Sequence, residues 1–142
     1  MLFRSDPNVA VLAEVDVLAP CALGGAINGA NVSRLRCRVI CGSANNQLSH
    51  DGLADDLAAL GILYAPDFVA NAGGLINIAV ELEGYDRDRA LRRAEAIGDK
   101  MQQLLAHADE SGTTPLAAAY ERARERLSAS AEAPAAGRLA AA

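Results

Sequence analysis

The chain has 142 residues, 51% of them hydrophobic, enough for one core-forming domain and too few for two of ordinary size. Its 13 Lys and Arg against 18 Asp and Glu leave a net charge of −5, with cations interspersed among acids, which excludes the basic stripe of a nucleic-acid-binding surface. No apolar stretch reaches the ~18 residues needed to span a bilayer, and Met1-Leu2-Phe3-Arg4-Ser5-Asp6 lacks a signal peptide's apolar region, so a soluble cytoplasmic protein is expected.

Asp6 as N-cap and Pro7 at the first helical position start a short helix through Ala13. Glu14-Val15-Asp16-Val17-Leu18 then reads as a strand that runs into the small-residue loop Ala19-Pro20-Cys21-Ala22-Leu23-Gly24-Gly25. After a helical turn around residues 31–35, Cys37-Arg38-Val39-Ile40-Cys41 reads as a second strand, followed by Gly42-Ser43-Ala44-Asn45-Asn46-Gln47. Asp51 can cap a helix whose apolar side is Leu53, Ala54, Leu57 and Leu60, with Gly61 as a left-handed stop. A third strand, Ile62-Leu63-Tyr64, leads through Ala65-Pro66-Asp67-Phe68-Val69-Ala70 to the loop Asn71-Ala72-Gly73-Gly74. Strands alternating with helices predict an α/β fold, a partial Rossmann-type parallel sheet whose ligand sites lie beyond the carboxyl ends of the strands. The three loops are therefore expected side by side on one rim.

Beyond Gly74, Leu75, Ile78, Ala79 and Leu82 recur at helical spacing and predict one apolar face running down from the loop. Gly84-Tyr85 breaks this helix, and Asp86 can cap a longer one in which Ala90, Leu91, Ala94, Ile97, Met101, Leu104, Leu105 and Ala108 step by three and four. Ser111-Gly112 ends it. Thr114-Pro115 opens a last helix with Leu116, Tyr120, Ala123 and Leu127 on one face. The alanine-rich stretch 128–142 carries Pro134, Gly137 and no apolar stripe and is expected to be disordered, leaving residues 6–127 as the folded unit.

Cys37 and Cys41 suggest a metal pair on paper, but on a strand they stand about 13 Å apart, four steps of ~3.3 Å, and no second pair completes a site. No metal is expected, and the odd cysteine count argues for reduced thiols. Cys21 sits in a strand-end loop, yet a nucleophilic role needs a histidine base, and only His50 and His107 exist. Lys100 is the only lysine, so a mechanism that relies on two tuned lysines cannot run on these residues. Gly24-Gly25 and Gly73-Gly74 are not the G-x-G-x-x-G phosphate fingerprint. Two adjacent glycines do let a flat ligand approach the backbone, and Asn45, Asn46 and Asn71 offer both donors and acceptors, as a carboxamide or an amino acid head group requires. The same residues serve as turn formers or caps elsewhere, and both readings stand on spacing alone.

The runs 19–25, 42–48 and 64–74, in this order and at this spacing, resemble the glutamate/leucine/phenylalanine/valine dehydrogenase family. The likeness covers roughly residues 6–127. It implies an NAD-dependent enzyme that interconverts an apolar amino acid with its 2-oxo acid and ammonia, in a cleft between two domains of a homo-oligomer. By that resemblance Ala19, Pro20, Cys21, Ala22, Ala44 and Asn45 lie along the nicotinamide riboside, Asn71 holds the carboxamide, and Asn46 faces the amino acid head group. Leu75 and Ile78 then face the substrate side chain. The family's substrate domain, lysine pair, catalytic aspartate and glycine fingerprint have no match here. The chain therefore resembles a carboxyl-terminal portion with no catalytic residue of its own, inactive alone. A non-catalytic remnant that binds a small molecule or a protein through the same rim is the alternative.

Overall fold

A computed structural model describes residues 7–132. The elements are α1 (Pro7–Val11), β1 (Val17–Leu18), a 3-10 turn (Val32–Arg34), β2 (Val39–Ile40), α2 (Leu53–Ala59), β3 (Leu63–Tyr64), α3 (Asp67–Ala70), α4 (Gly73–Leu82), α5 (Arg87–Ser111) and α6 (Pro115–Glu132). The expected cap Asp6 lies outside the described residues.

The strands form a parallel sheet of order β1-β2-β3, with Val17 opposite Val39 and Val39 opposite Leu63. Each strand is shorter than its sequence pattern suggests. Pairing continues past the strands only as isolated parallel bridges, Glu14 with Arg36 and Ile27 with Leu48. The central strand carries the fully buried Ile40, whereas Val15 and Val17 on the β1 edge are exposed, so on its outer side β1 has no neighbouring strand or covering layer among the described residues to extend its ladder.

One side of the sheet is packed. Ile27, Val32, Ile40, Leu48, Leu53, Leu57, Ile62, Tyr64 and Leu116 form the main core, with Leu18 and Tyr120 against it. Burying an Ile or Leu side chain of this kind contributes about 1.5–3 kcal/mol. Leu53, Ala54 and Leu57 put the expected face of α2 into this core, while Leu60 stays exposed because the helix stops before it. Gly61, at φ +70°, turns the chain into β3.

The helical half is set by local signals. Asp86 accepts a hydrogen bond from the Arg89 N–H at 3.0 Å and starts α5, and Gly112 ends it in the left-handed region at φ 64°. Thr114 Oγ1 accepts from the Ala117 N–H at 3.3 Å at the head of α6. Leu104 and Ala108 of α5 meet Ala118 and Ala119 of α6 in a second small core that Val69 and Met101 flank. Small residues let the helices approach, and Leu116 ties α6 back to the sheet. Helix α6 continues through Glu132, past the expected boundary at Ser128. Alanine has the highest helix propensity, so an already nucleated helix extends through alanine-rich sequence without needing an apolar stripe. Residues 133–142, the rest of the expected tail, lie outside the described residues.

The apolar face expected on α4 is turned the other way. Leu75 is 72%, Ile78 54% and Leu82 85% exposed, while Val80 is fully buried with Ile76 half-buried one turn before it. Apolar residues occupy more than one side of this helix, and periodicity alone does not say which side meets the protein. Packing against α5 selects the Ile76–Val80 side: the Arg89 side chain of α5 donates to the carbonyls of Val80 at 3.5 Å and Gly84 at 2.8 Å.

Candidate functional site

The loops that leave β1, β2 and β3 share the rim at the carboxyl ends of the strands. Close backbone approach welds the first two together. A Cβ on Gly42 would lie 2.1 Å from the Pro20 carbonyl oxygen, so only glycine fits there, and the same oxygen accepts the Ala44 N–H at 2.9 Å. Further along, the Gly25 N–H donates to the Asn46 carbonyl at 2.7 Å. Asn46 itself has φ 51°, the left-handed region that asparagine tolerates better than most residues. Ala19, Cys21, Ala22, Asn45 and Asn46 are exposed, Pro20 is half-buried, and the Ala44 side chain is buried beneath the loop.

Gln47 organises the second loop from beneath. Fully buried, it donates through Nε2 to the carbonyls of Gly42 at 2.7 Å and Ala44 at 3.0 Å, closing the loop on itself. Its Oε1 is buried with no hydrogen-bond partner among the described residues. The third loop is locked to the second by Asp67, whose Oδ2 accepts the Gln47 N–H at 2.8 Å. Helix α3 then delivers Asn71, whose N–H donates to the Asp67 carbonyl at 2.8 Å. As a result two of the sequence-selected amides meet: Asn71 Nδ2 donates to Asn45 Oδ1 at 2.7 Å and, more weakly, to the Ser43 carbonyl at 3.4 Å. The Ser43 carbonyl can only accept, which sets Asn71 with its nitrogen inward and, through it, Asn45 with its oxygen toward Asn71. Asn71 Oδ1 and Asn45 Nδ2 remain without a partner among the described residues, one acceptor and one donor side by side.

The expected loop at Asn71-Ala72-Gly73-Gly74 is in fact a link between two helices, with both glycines inside the first turn of α4. A Cβ on Gly73 or Gly74 meets nothing within 4 Å, so the space above this turn is open. Leu75, in the first turn of α4, and Ile78, in the next, are both exposed.

The surroundings tune several groups. Burial, and then the Asp67 carboxylate, push the Tyr64 phenol well above its ordinary range. Tyr120 is also raised, by burial first and by Asp51 second, and its ring stacks on Phe68 with centroids 5.5 Å apart. Hydrogen bonds from the Ser43 side chain and backbone lower the Cys21 thiol. Lys100 lines a groove of about 710 Å³ between α5 and α6, with Leu104, Arg122 and Leu127, which Phe68 and Val69 of α3 also line. Among the described residues no three His, Cys, Asp or Glu side chains cluster as metal ligands would.

Gln47 and Asp67 escape sequence reasoning. In the sequence Gln47 is only the last residue of the polar loop after the second strand, and Asp67 only a member of the run that leads from the third strand to Asn71. The available signal was an acid in the otherwise apolar run Tyr64-Ala65-Pro66-Asp67-Phe68-Val69, which is costly to bury unless a donor meets it.

Comparison with known proteins agrees with this architecture. The Nostoc punctiforme L-tryptophan dehydrogenase crystal structure superposes with a TM-score of 0.83 at 40% identity, covering 89% of this chain and 38% of that one. A hetero-hexameric glutamate dehydrogenase from Thermus thermophilus, 24% identical, shares the fold with a TM-score of 0.60. Valine dehydrogenase of Streptomyces albus is 47% identical over 89% of this chain and 37% of its own length. Leucine dehydrogenase of Bacillus cereus is 45% identical over 86% of this chain and 33% of its own. The chain thus spans about a third of the curated relatives it matches. The sequence model of the Glutamate/Leucine/Phenylalanine/Valine dehydrogenase family matches residues 3–142, and the chain belongs to that family.

Proposed function

We propose that this chain supplies the nicotinamide-facing rim of an NAD-dependent dehydrogenase that converts an apolar L-amino acid into its 2-oxo acid and ammonia. The observation that carries this reading is the Asn45–Asn71 amide pair. Its free acceptor and free donor match the two groups of a carboxamide, whose NH₂ would donate to Asn71 Oδ1 and whose carbonyl would accept from Asn45 Nδ2. The residues fit NAD at that end: the pair would hold the carboxamide, and Ala19, Pro20, Cys21, Ala22 and Ala44 would line the ring and ribose. NAD held there would supply the acceptor for the hydride that leaves the substrate's α-carbon. Asn46, on the same exposed loop, faces the amino acid head group.

Substrate class follows from the α4 wall. Leu75 and Ile78 are apolar and exposed next to the open space above Gly73 and Gly74. A glutamate carboxylate placed against them would be desolvated without a partner, which is costly. Each methylene of an apolar side chain gains up to ~0.8 kcal/mol instead. Choosing leucine over valine by one methylene is worth only ~1–3 kcal/mol, so the wall favours apolar amino acids as a class.

These 142 residues hold one lysine and no G-x-G-x-x-G, and that lysine lines the α5/α6 groove rather than the rim. General acid–base catalysis, worth ~10²–10⁴-fold, and the pyrophosphate contacts therefore come from groups outside them. The exposed Val15 and Val17 edge of a parallel sheet supports the same view, since such sheets are normally covered.

A chimera tests the reading: this chain replaces the matching third of Streptomyces albus valine dehydrogenase, and kcat/KM is compared for valine, leucine, phenylalanine and glutamate. Apolar substrates are expected to lead. A glutamate preference would remove Leu75 and Ile78 from the side-chain pocket. The 142-residue chain by itself is expected to reduce no NAD with any of them.

A further inference from the structure

The rim's amide pair joins residues 26 apart in sequence, on two loops with no strand ladder between them at that height. Something else must set their separation. The second loop is stiffened internally by Gln47, and its close approach to the first loop at Gly42 and Gly25 fixes it relative to β1. Neither contact reaches Asn71. Asp67 does: one of its carboxylate oxygens takes the Gln47 N–H, and four residues along the chain its own carbonyl takes the Asn71 N–H. Only one side chain and one helical turn therefore separate the two amides.

The chemistry of Asp67 argues against a plain capping role. A carboxylate at the start of a helix ordinarily accepts from N–H groups of its own first turn. Here Oδ2 reaches across to another loop, and the side chain is 9% exposed, packed beside Tyr64. A charge-assisted bond in such a place is short, strong and directional. The gap between Asn45 Oδ1 and Asn71 Nδ2 is 2.7 Å, so a loop displacement of about 1 Å would break it.

We propose that Asp67, through the Gln47 main-chain N–H, is the positioning residue that holds Asn45 and Asn71 at carboxamide-binding separation. This rests on the nicotinamide reading for its purpose and on the hydrogen bonds alone for its geometry. Asp67 touches neither cofactor nor substrate. It acts through the two amides.

The test uses the ¹⁵N-labelled 142-residue chain without ligand, following the side-chain NH₂ signals of Asn45 and Asn71. Asp67→Ala is expected to remain folded by thermal melting while the Asn71 signals move to free-amide positions. Asp67→Asn, which keeps a carbonyl acceptor at the same reach, is expected to restore them. Should Asp67→Ala fail to fold, Asp67→Ser carries the same expectation, since it starts the helix but is too short to reach Gln47. Wild-type Asn45 and Asn71 signals in either folded variant, or no rescue by Asp67→Asn, would overturn the proposal. In the chimera, Asp67→Ala and Asn71→Ala should each raise KM for NAD about tenfold, with the double variant no worse than about twofold beyond the single ones. Additive losses there would also overturn it. If the ligand-free signals respond as expected but neither variant changes KM for NAD, the positioning role stands and the nicotinamide reading fails.

Discussion

Replacing Gly42 with alanine probes the contact on which the rim is built. The new Cβ would stand 2.1 Å from the Pro20 oxygen, 2.6 Å from its nitrogen and 2.7 Å from its carbonyl carbon. All three are backbone atoms, so no side chain can swing aside, and the loop after β1 must retreat by at least about 1.3 Å to reach ordinary contact. Overpacking of this kind costs ~1–3 kcal/mol. Retreat also stretches the 2.9 Å bond from the Ala44 N–H to the Pro20 oxygen, a further ~0.5–1.5 kcal/mol. The sum is about 1.5–4.5 kcal/mol, which at ~3–4 °C per kcal/mol for a domain of this size lowers Tm by roughly 5–18 °C. Circular dichroism at 222 nm reads the melt. Gly98→Ala is the control: nothing lies within 4 Å of its Cβ, it sits inside α5, and alanine there should raise stability by about 0.5–1 kcal/mol. A Gly42→Ala protein that melts with the wild type would refute the close packing of the first two loops.

Gly74→Ala has open space around its Cβ and should leave Tm unchanged or higher, yet raise KM for the amino acid substrate in the chimera, because the methyl enters the open space beside the Leu75 and Ile78 wall. Asn46→Val should destabilise by about 1–2 kcal/mol in urea titrations, since a β-branched residue at φ 51° is strained, whereas Asn46→Gly should not. Tyr64 is an acid whose folded pKa is raised, so the unfolded chain releases that proton first. Stability should be fully present below the unfolded value near ~10 and fall as pH rises above it, and Tyr64→Phe should flatten that slope in alkaline melts. The Asp86 carboxylate is lowered, chiefly by the Arg89 N–H, so its cap stabilises above the ordinary carboxylate range and fades as pH falls through the folded value; Asp86→Ala should melt lower at pH 7 and converge with the wild type in acid.

What could be read in the sequence is what is local. Gly61, Asp86, Gly112 and Thr114 mark helix boundaries because capping and left-handed geometry depend on a few adjacent residues. The alternation of apolar runs with small-residue loops led to the parallel sheet for the same reason. Periodicity failed at α4, where Leu75, Ile78 and Leu82 look like a core face and Val80 is the one that is buried. A helix with apolar residues on several sides takes its orientation from its neighbours. The strands came out at two residues each because ladder length depends on partners in space, and Val17, paired with Val39 on one side, has none on its outer side among the described residues. The amides at the rim were visible as types, but the Asn45–Asn71 bond was not, nor was the Asp67–Gln47 bond behind it, since both link loops remote in sequence.

The most direct test of the nicotinamide reading is the dependence of cofactor affinity on Asn71 in the valine dehydrogenase chimera. Removing the amide takes away one hydrogen bond to the carboxamide and leaves its group unpaired, a loss of ~1–3 kcal/mol. Asn71→Ala should therefore raise KM for NAD about tenfold or more, since 1.4 kcal/mol is one decade, with KM for valine much less affected. An active chimera whose KM for NAD is the same with alanine at this position would contradict the account.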